Sequence, residues 1–146
     1  MPLVRWCSNC WHENPYGAAV CEACGADLRE ETGDRTERLI RSLGHPLPEI
    51  RRMAAGLLGR CDDARALTAL AESARRAVKR RDWELLEGVV EGLAVSTRAQ
   101  AITALEYIST HGAVRTRQGA ARALAAIRTR RGAALAEAQR KGGGEV

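Results

Sequence analysis

The sequence predicts a mostly α-helical chain: a short α-solenoid of about three helix pairs, preceded by a small metal-folded segment. Three observations carry that prediction. Four cysteines stand as Cys7-x2-Cys10 and Cys21-x2-Cys24 near the N-terminus. Apolar residues then recur with the helical period of about 3.6, and no stretch alternates with period two. The helical pattern also matches itself when the chain is shifted by 35 and then by 31 residues.

The cysteine pairs come first. A C-x2-C turn lets two thiolates hold one ion from a single tight loop. Two such turns complete a tetrahedral S4 site with Zn–S distances of about 2.3 Å. Four thiolates leave no open coordination position, so the expected ion, one Zn2+, is structural. A segment of this length buries too little surface to fold alone, and the ion's binding energy becomes folding energy. Iron suits the same four thiolates, and spacing alone leaves that alternative open. A disulfide framework fits less well, because Met1–Arg5 has no apolar run of the secretory kind. A redox CxxC fits less well too, because no βαβ pattern follows. His12, two residues past Cys10, reads as a loop residue beside a complete ligand set.

These residues resemble the short zinc ribbons common in bacterial proteins, CxxCGxxNxxGAxFCxxCGxxL. Asn14, Gly17, Ala18, Gly25 and Leu28 fall on that pattern. The segment is also similar to the Ran-binding-protein type of zinc finger through Cys10-x3-Asn14-x6-Cys21-x2-Cys24. Trp11-His12 stand where the ubiquitin-binding members of that family carry Thr-Phe, so ubiquitin binding is not implied. Gly25 is expected at positive φ just past the second knuckle. Trp11 replaces the first knuckle's glycine, which predicts an altered turn that presents an indole.

Composition divides the chain near residue 30. Residues 1–33 carry −3, from Arg5 and Arg29 against Glu13, Glu22, Asp27, Glu30 and Glu31; the remainder carries +8, with 21 Lys/Arg against 13 Asp/Glu. No apolar run reaches the ~18 residues of a membrane span, and a cytoplasmic chain is expected. The expected organisation is a ribbon over residues 1–29, a linker over 30–36, helical repeats over 37–131, and a helical extension with a flexible tail over 132–146, the tail from Lys141.

The helices follow in order. Ile50, Met53, Ala54, Leu57 and Leu58 form one apolar stripe, opened by Pro48 and closed by Gly59. Asp62 or Asp63 caps the next helix, with stripe Leu67, Leu70, Ala71, Ala74 and Val78. Asp82 caps a third over Trp83–Leu93, with Leu85, Leu86, Val89, Val90 and Leu93 apolar. Ser96 or Thr97 starts a fourth through Ile102, Leu105 and Ile108. Gly112 breaks it, and Arg115–Arg128 carries Ala120, Ala123, Leu124 and Ile127. The 35-residue shift lays Ala66-Leu-Thr-Ala-Leu70 on Ala101-Ile-Thr-Ala-Leu105, and 31 more residues bring Leu93 to Leu124. Two helices per unit at that period describe a solenoid.

Leu43-Gly-His-Pro-Leu-Pro-Glu-Ile-Arg-Arg-Met-Ala-Ala-Gly-Leu-Leu-Gly59 resembles the HEAT repeats related to phycobilisome lyases, with units of the form LxHPDPEVRRAAAxALG. Asp62-Asp63-Ala-Arg-Ala-Leu67 is similar to the family's GDPRALPAL. The resemblance implies a binding surface of stacked helices and does not imply lyase activity.

No catalytic constellation emerges. His45 and His111 sit at helix breaks, and Cys61 reads as a small apolar residue between helices. The run from Arg75 to Arg81 complements a helix C-terminus or forms a patch for phosphate or an acidic partner. Alkylpurine DNA glycosylases use HEAT-like helices with a basic face, but Trp83 and Tyr107 are the only aromatics in the repeats and neither has a paired carboxylate in sequence. The chain is therefore expected to be a non-enzymatic adaptor with an unidentified protein partner. Cys7, Cys10, Cys21 and Cys24 hold the metal, and Thr68, Glu72, Arg75, Arg76, Lys79, Arg80, Thr103, Tyr107 and Trp11 are candidate partner contacts. The alternatives are a nucleic-acid-binding protein, using Trp6, Trp11 and Tyr16 with the basic helices, and an accessory subunit of an enzyme.

Overall fold

A computed structural model describes residues 2–30 and 32–143. Among them are six helices and one two-stranded sheet. Strands β1 (Val4–Trp6) and β2 (Glu13–Pro15) pair antiparallel, with Val4 opposite Pro15 and Trp6 opposite Glu13. They flank the first cysteine knuckle, which brings them together.

Helix α1 (Arg35–Ser42) starts inside the stretch read as linker. Asp34 and Glu37 close a capping box there, each side chain accepting the other's backbone N–H. Helix α2 (Pro48–Leu58) opens with Pro48 and ends at Gly59, as expected. Helix α3 (Ala64–Arg80) is capped by Asp63 and ends at Arg81, whose φ of 56° reverses the chain. Asp82 then caps α4 (Trp83–Ala94). Helix α5 (Ala99–His111) begins after the expected Ser96 or Thr97, because the Ser96 hydroxyl accepts the Arg98 N–H in a turn ahead of the helix. Helix α6 (Val114–Gly142) runs well past Arg128. Lys141 and Gly142 are thus helical, while residues 144–146 of the expected tail lie outside the described residues.

The helices form two layers. Helices α2, α4 and α6 pack side by side, α3 packs on α5 beside them, and α1 covers α2 and α3. One apolar cluster runs through both layers, with Leu58, Leu70, Leu86, Leu93, Leu105, Ile108 and Ile127 fully buried. Residues related by the 35-residue shift have matching burial: Ala66 with Ala101, Ala69 with Ala104, Leu70 with Leu105, and Leu58 with Leu93. Ala133 onward on α6 is exposed, and among the described residues no other helix packs there.

The closest helix crossing is α2 on α4, and glycines make it. A Cβ on Gly88 would lie 2.5 Å from the Arg52 carbonyl oxygen and 2.8 Å from the Arg52 Cα; one on Gly92 would overlap the Ala55 carbonyl oxygen. Gly59 meets Gly92 just as closely. This approach corrects the expected α2 stripe. Ala54, Ala55 and Leu58 face the core, and Met53 is turned outward at 55% exposure. A backbone that lies against another backbone needs small side chains at the crossing, so the methionine is displaced from it.

Candidate metal centre and its seat on the helices

The two knuckles are built alike. The Trp11 N–H donates to the Cys7 carbonyl at 2.8 Å, and the Gly25 N–H donates to the Cys21 carbonyl at 2.9 Å. The fifth residue of each knuckle is left-handed: Trp11 at φ 60° and Gly25 at φ 74°. Trp11 thus keeps the glycine's conformation rather than altering the turn, at a cost of about 1–2 kcal/mol for a residue with a Cβ.

This geometry brings all four cysteine sulfurs within 4.8 Å of one another. Cys7 and Cys24 are 3.6 Å apart, as are Cys10 and Cys21. A tetrahedron with Zn–S bonds of about 2.3 Å has edges of about 3.8 Å, so two of the sulfur pairs stand near that edge length and all four sulfurs are close enough to bind one ion. The group is one structural Zn2+ held by Cys7, Cys10, Cys21 and Cys24. His12 lies outside this cluster; its carbonyl oxygen accepts the Cys7 N–H at 3.0 Å.

Side chains around the sulfurs fix them. Buried Asn14 donates to the His12 carbonyl at 2.9 Å and to the Cys21 sulfur at 3.6 Å, while its Oδ1 accepts the Glu22 N–H at 2.9 Å. It therefore clasps one knuckle to the other. Asn9 contributes its backbone N–H to Cys7 and its amide to Cys24. Outer partners of this kind commonly contribute 10- to 100-fold to metal affinity. Asn14→Ala is accordingly expected to weaken zinc binding at least tenfold in competition with a chromogenic chelator.

Within the folded knuckles the thiols differ in acidity. Burial raises Cys21, but the N–H groups of Cys24 and Ala23 and the Asn14 amide outweigh it and bring the thiol down to about 6. The Asn9 amide and the Ala26 N–H lower Cys24. The His12 N–H lowers Cys10, yet desolvation and the three neighbouring sulfurs push it up to about 12. All four ligands bind as thiolates, so every thiol that is protonated in the metal-free chain must release its proton when the metal enters. Zinc affinity should therefore fall as pH falls, by at least tenfold per unit below the usual thiol range. Competition titrations between pH 5 and 8 measure that slope.

The centre is seated on the helical layers through two indoles. Trp6 precedes Cys7 and Trp11 follows Cys10, and both meet the His45 ring edge-on, at 5.6 and 4.7 Å between centroids. His45 lies between α1 and α2 at only 8% exposure. Burial and the nearby Arg51 charge hold its pKa below the usual histidine value, so the ring is neutral between the indoles. Its Nδ1 accepts the Leu47 N–H at 3.0 Å. Arg51 donates to the His45 and Pro46 carbonyls at 2.7 and 2.9 Å and pairs with Asp82 at 2.9 Å. Contacts therefore run from the knuckle through His45 and Arg51 to the cap of α4. Trp11→Gly should retain the zinc but free His45, whose ring protons would lose the shielding of the indole in an NMR spectrum. Unchanged shifts would remove this role from Trp11.

Of the other candidate contacts, Thr68, Glu72, Arg75, Thr103 and Tyr107 come together around one groove of about 480 Å³ between α3 and α5. Arg76 stands apart and donates to Ser73 at 3.1 Å. Lys79 is exposed on the same face of α3, one turn beyond Arg75. Arg80 lines a separate depression with Pro48, Arg81 and Trp83. Cys61 is partly buried against the core and donates to the Leu57 carbonyl at 3.5 Å. His111 stacks on Tyr107 at 4.3 Å. The glycines of α4 and the seating histidine were not read as functional from sequence, although Gly88 and Gly92, four residues apart on one helix face, carried the signal of a close crossing.

Residues 7–62 match the family described as Double zinc ribbon. Within that span one ribbon is present; α1 and α2 occupy the rest, with Cys61 as the sole further cysteine. No curated protein and no solved structure matches the chain. No helix among the described residues is long and apolar enough to cross a membrane.

Proposed function

We propose that this chain is a non-enzymatic adaptor. A zinc-folded ribbon is seated on HEAT-like helix pairs, and a protein partner binds the groove between α3 and α5. The observation that carries the reading is the convergence of Thr68, Glu72, Arg75, Thr103 and Tyr107 on that groove. The matched burial at a 35-residue shift supports two stacked units, α2–α3 and α4–α5, with α6 opening a third. The two-layer packing is what such stacking produces. Four thiolates fill the metal's coordination, so the ion folds the ribbon and offers no place for a substrate. A reduced tetrathiolate centre suits the cytoplasm, where we place the chain.

A photo-crosslinking residue at Thr103 is expected to capture a protein in the native cell after nuclease treatment, and one at Gln118 on exposed α6 is not. Equal capture at both positions, or capture of nucleic acid alone, would contradict the reading. Steady turnover of a substrate by the purified chain would contradict its non-enzymatic part.

A further inference from the structure

We infer that the partner of the α3–α5 groove is an acidic peptide segment, whose carboxylates meet the cationic end of α3 while its backbone lies along the groove. The inference rests on the adaptor reading and adds the chemistry of the partner.

The charge pattern comes first. Most arginines near the α2–α4 crossing and the helix caps are neutralised: Arg51 by Asp82, Arg52 by Glu84, Glu87 and Glu91, Arg65 by Asp34 and Asp63, and Arg98 by Asp62. The end of α3 is different. Arg75, Arg76, Lys79, Arg80 and Arg81 fall within seven residues, and among the described residues none pairs with a carboxylate. A helix C-terminus accommodates one or two cations through its dipole. Arg75 lines the groove and Lys79 continues its face, so these two set a positive field at its mouth, to which Arg76, Arg80 and Arg81 add from the neighbouring faces of the helix end.

The groove itself favours a peptide over a phosphate backbone. Thr68 and Thr103 spend their hydroxyl protons on the Ala64 and Ala99 carbonyls, at 3.2 and 3.1 Å. Gln100 donates to Thr68, which leaves the Thr103 oxygen and the Glu72 carboxylate as acceptors on the groove. Peptide N–H groups can fill such acceptors, whereas a DNA backbone has no donor to offer, an RNA backbone has only its 2′-hydroxyls, and the phosphates of either are repelled by Glu72. Tyr107, the one aromatic on the groove, is already stacked on His111 and approached by Arg75 at 5.9 Å. One face of its ring is thus taken by His111. Acceptors along the groove and cations at its end therefore describe an extended peptide with Asp or Glu at one end.

The test uses the full zinc-loaded chain and a fluorescein-labelled peptide of about 12 residues, rich in Glu and Asp with two leucines, followed by anisotropy. Binding is expected at about 50 mM salt and should weaken at least tenfold at about 500 mM, as screening of exposed charges requires. Lys79→Glu with Arg80→Glu should cost at least tenfold, and Lys79→Gln with Arg80→Gln a smaller part of it, with helix content unchanged. Arg117→Glu with Arg128→Glu, which reverses equal charge on α6, should change affinity less than twofold. Tighter binding of a single-stranded or duplex oligonucleotide overturns the proposal, as do equal losses in both charge-reversed pairs or no peptide binding at 50 mM salt. If the partner crosslinked at Thr103 is captured equally by the Lys79→Glu/Arg80→Glu chain, the acidic chemistry falls while the adaptor reading stands. Loss of all capture at Thr103 in the unaltered chain removes the adaptor reading itself.

Discussion

Removing the zinc, or replacing Cys21 with Ser, is expected to unfold residues 2–30 and leave the helices folded. The two parts have very different means of support. The ribbon's buried apolar residues are Cys7, Cys21 and Leu28, two of them ligands, with Ala18 and Ala26 packed alongside. So little apolar area cannot offset the entropy of ordering some 25 residues at about 1–2 kcal/mol each. Structural zinc supplies on the order of 10 kcal/mol, which makes the metal the main support of the fold there. The helices have a continuous core of their own. Chelation should therefore leave the 222 nm ellipticity nearly unchanged. Trp6 and Trp11 should lose the His45 ring and shift their emission to the red, and Cys21→Ser should give the red-shifted spectrum without chelator. Emission that stays put on chelation would mean that the indoles are seated by something other than the metal-folded knuckle.

Gly92→Ala is expected to destabilise the helical layers by about 2–4 kcal/mol, with Gly88→Ala close behind. In an exposed helix the change would gain up to about 1 kcal/mol of propensity. Here the new Cβ meets the Ala55 carbonyl, and backbone cannot turn aside as a flexible side chain can. The helices must separate, and the fully buried Leu58, Leu86, Val89 and Leu93 around the crossing lose contact together. At about 4–8 °C per kcal/mol, the midpoint should fall by at least about 8 °C. Gly132→Ala provides the contrast, since nothing lies within 4 Å of its added methyl and α6 is exposed there. It should stabilise slightly. Similar midpoints for the two variants would show that α2 and α4 do not touch through their backbones.

The metal ligands were legible in the sequence because the geometry is local. Two C-x2-C turns fix two sulfurs each, whatever follows them. The apolar positions of α3, α4 and the first half of α6 were legible for a related reason, since a 3.6-residue stripe states its own face. Met53 was misplaced because the sequence shows which residues are apolar, and the crossing distance of α2 and α4 decides which side is buried. That distance is set by Gly88 and Gly92, on another helix. The conformation of Trp11 escaped because its cost is offset across the fold, where the indole packs on His45, more than 30 residues away in sequence. The helical extension past residue 131 was legible, but the helical Lys141 and Gly142 at its end escaped, because the exposed second half of α6 has no buried stripe to mark where it stops.

The central claim is that four thiolates on two matching knuckles hold one zinc ion, and that this ion folds the ribbon. Native mass spectrometry of freshly reduced protein measures it most directly. The account predicts a mass increment of one zinc per chain, lost in Cys21→Ser and retained in Cys61→Ser. A metal-free mass for the reduced wild-type chain, or a zinc that survives Cys21→Ser, would contradict it.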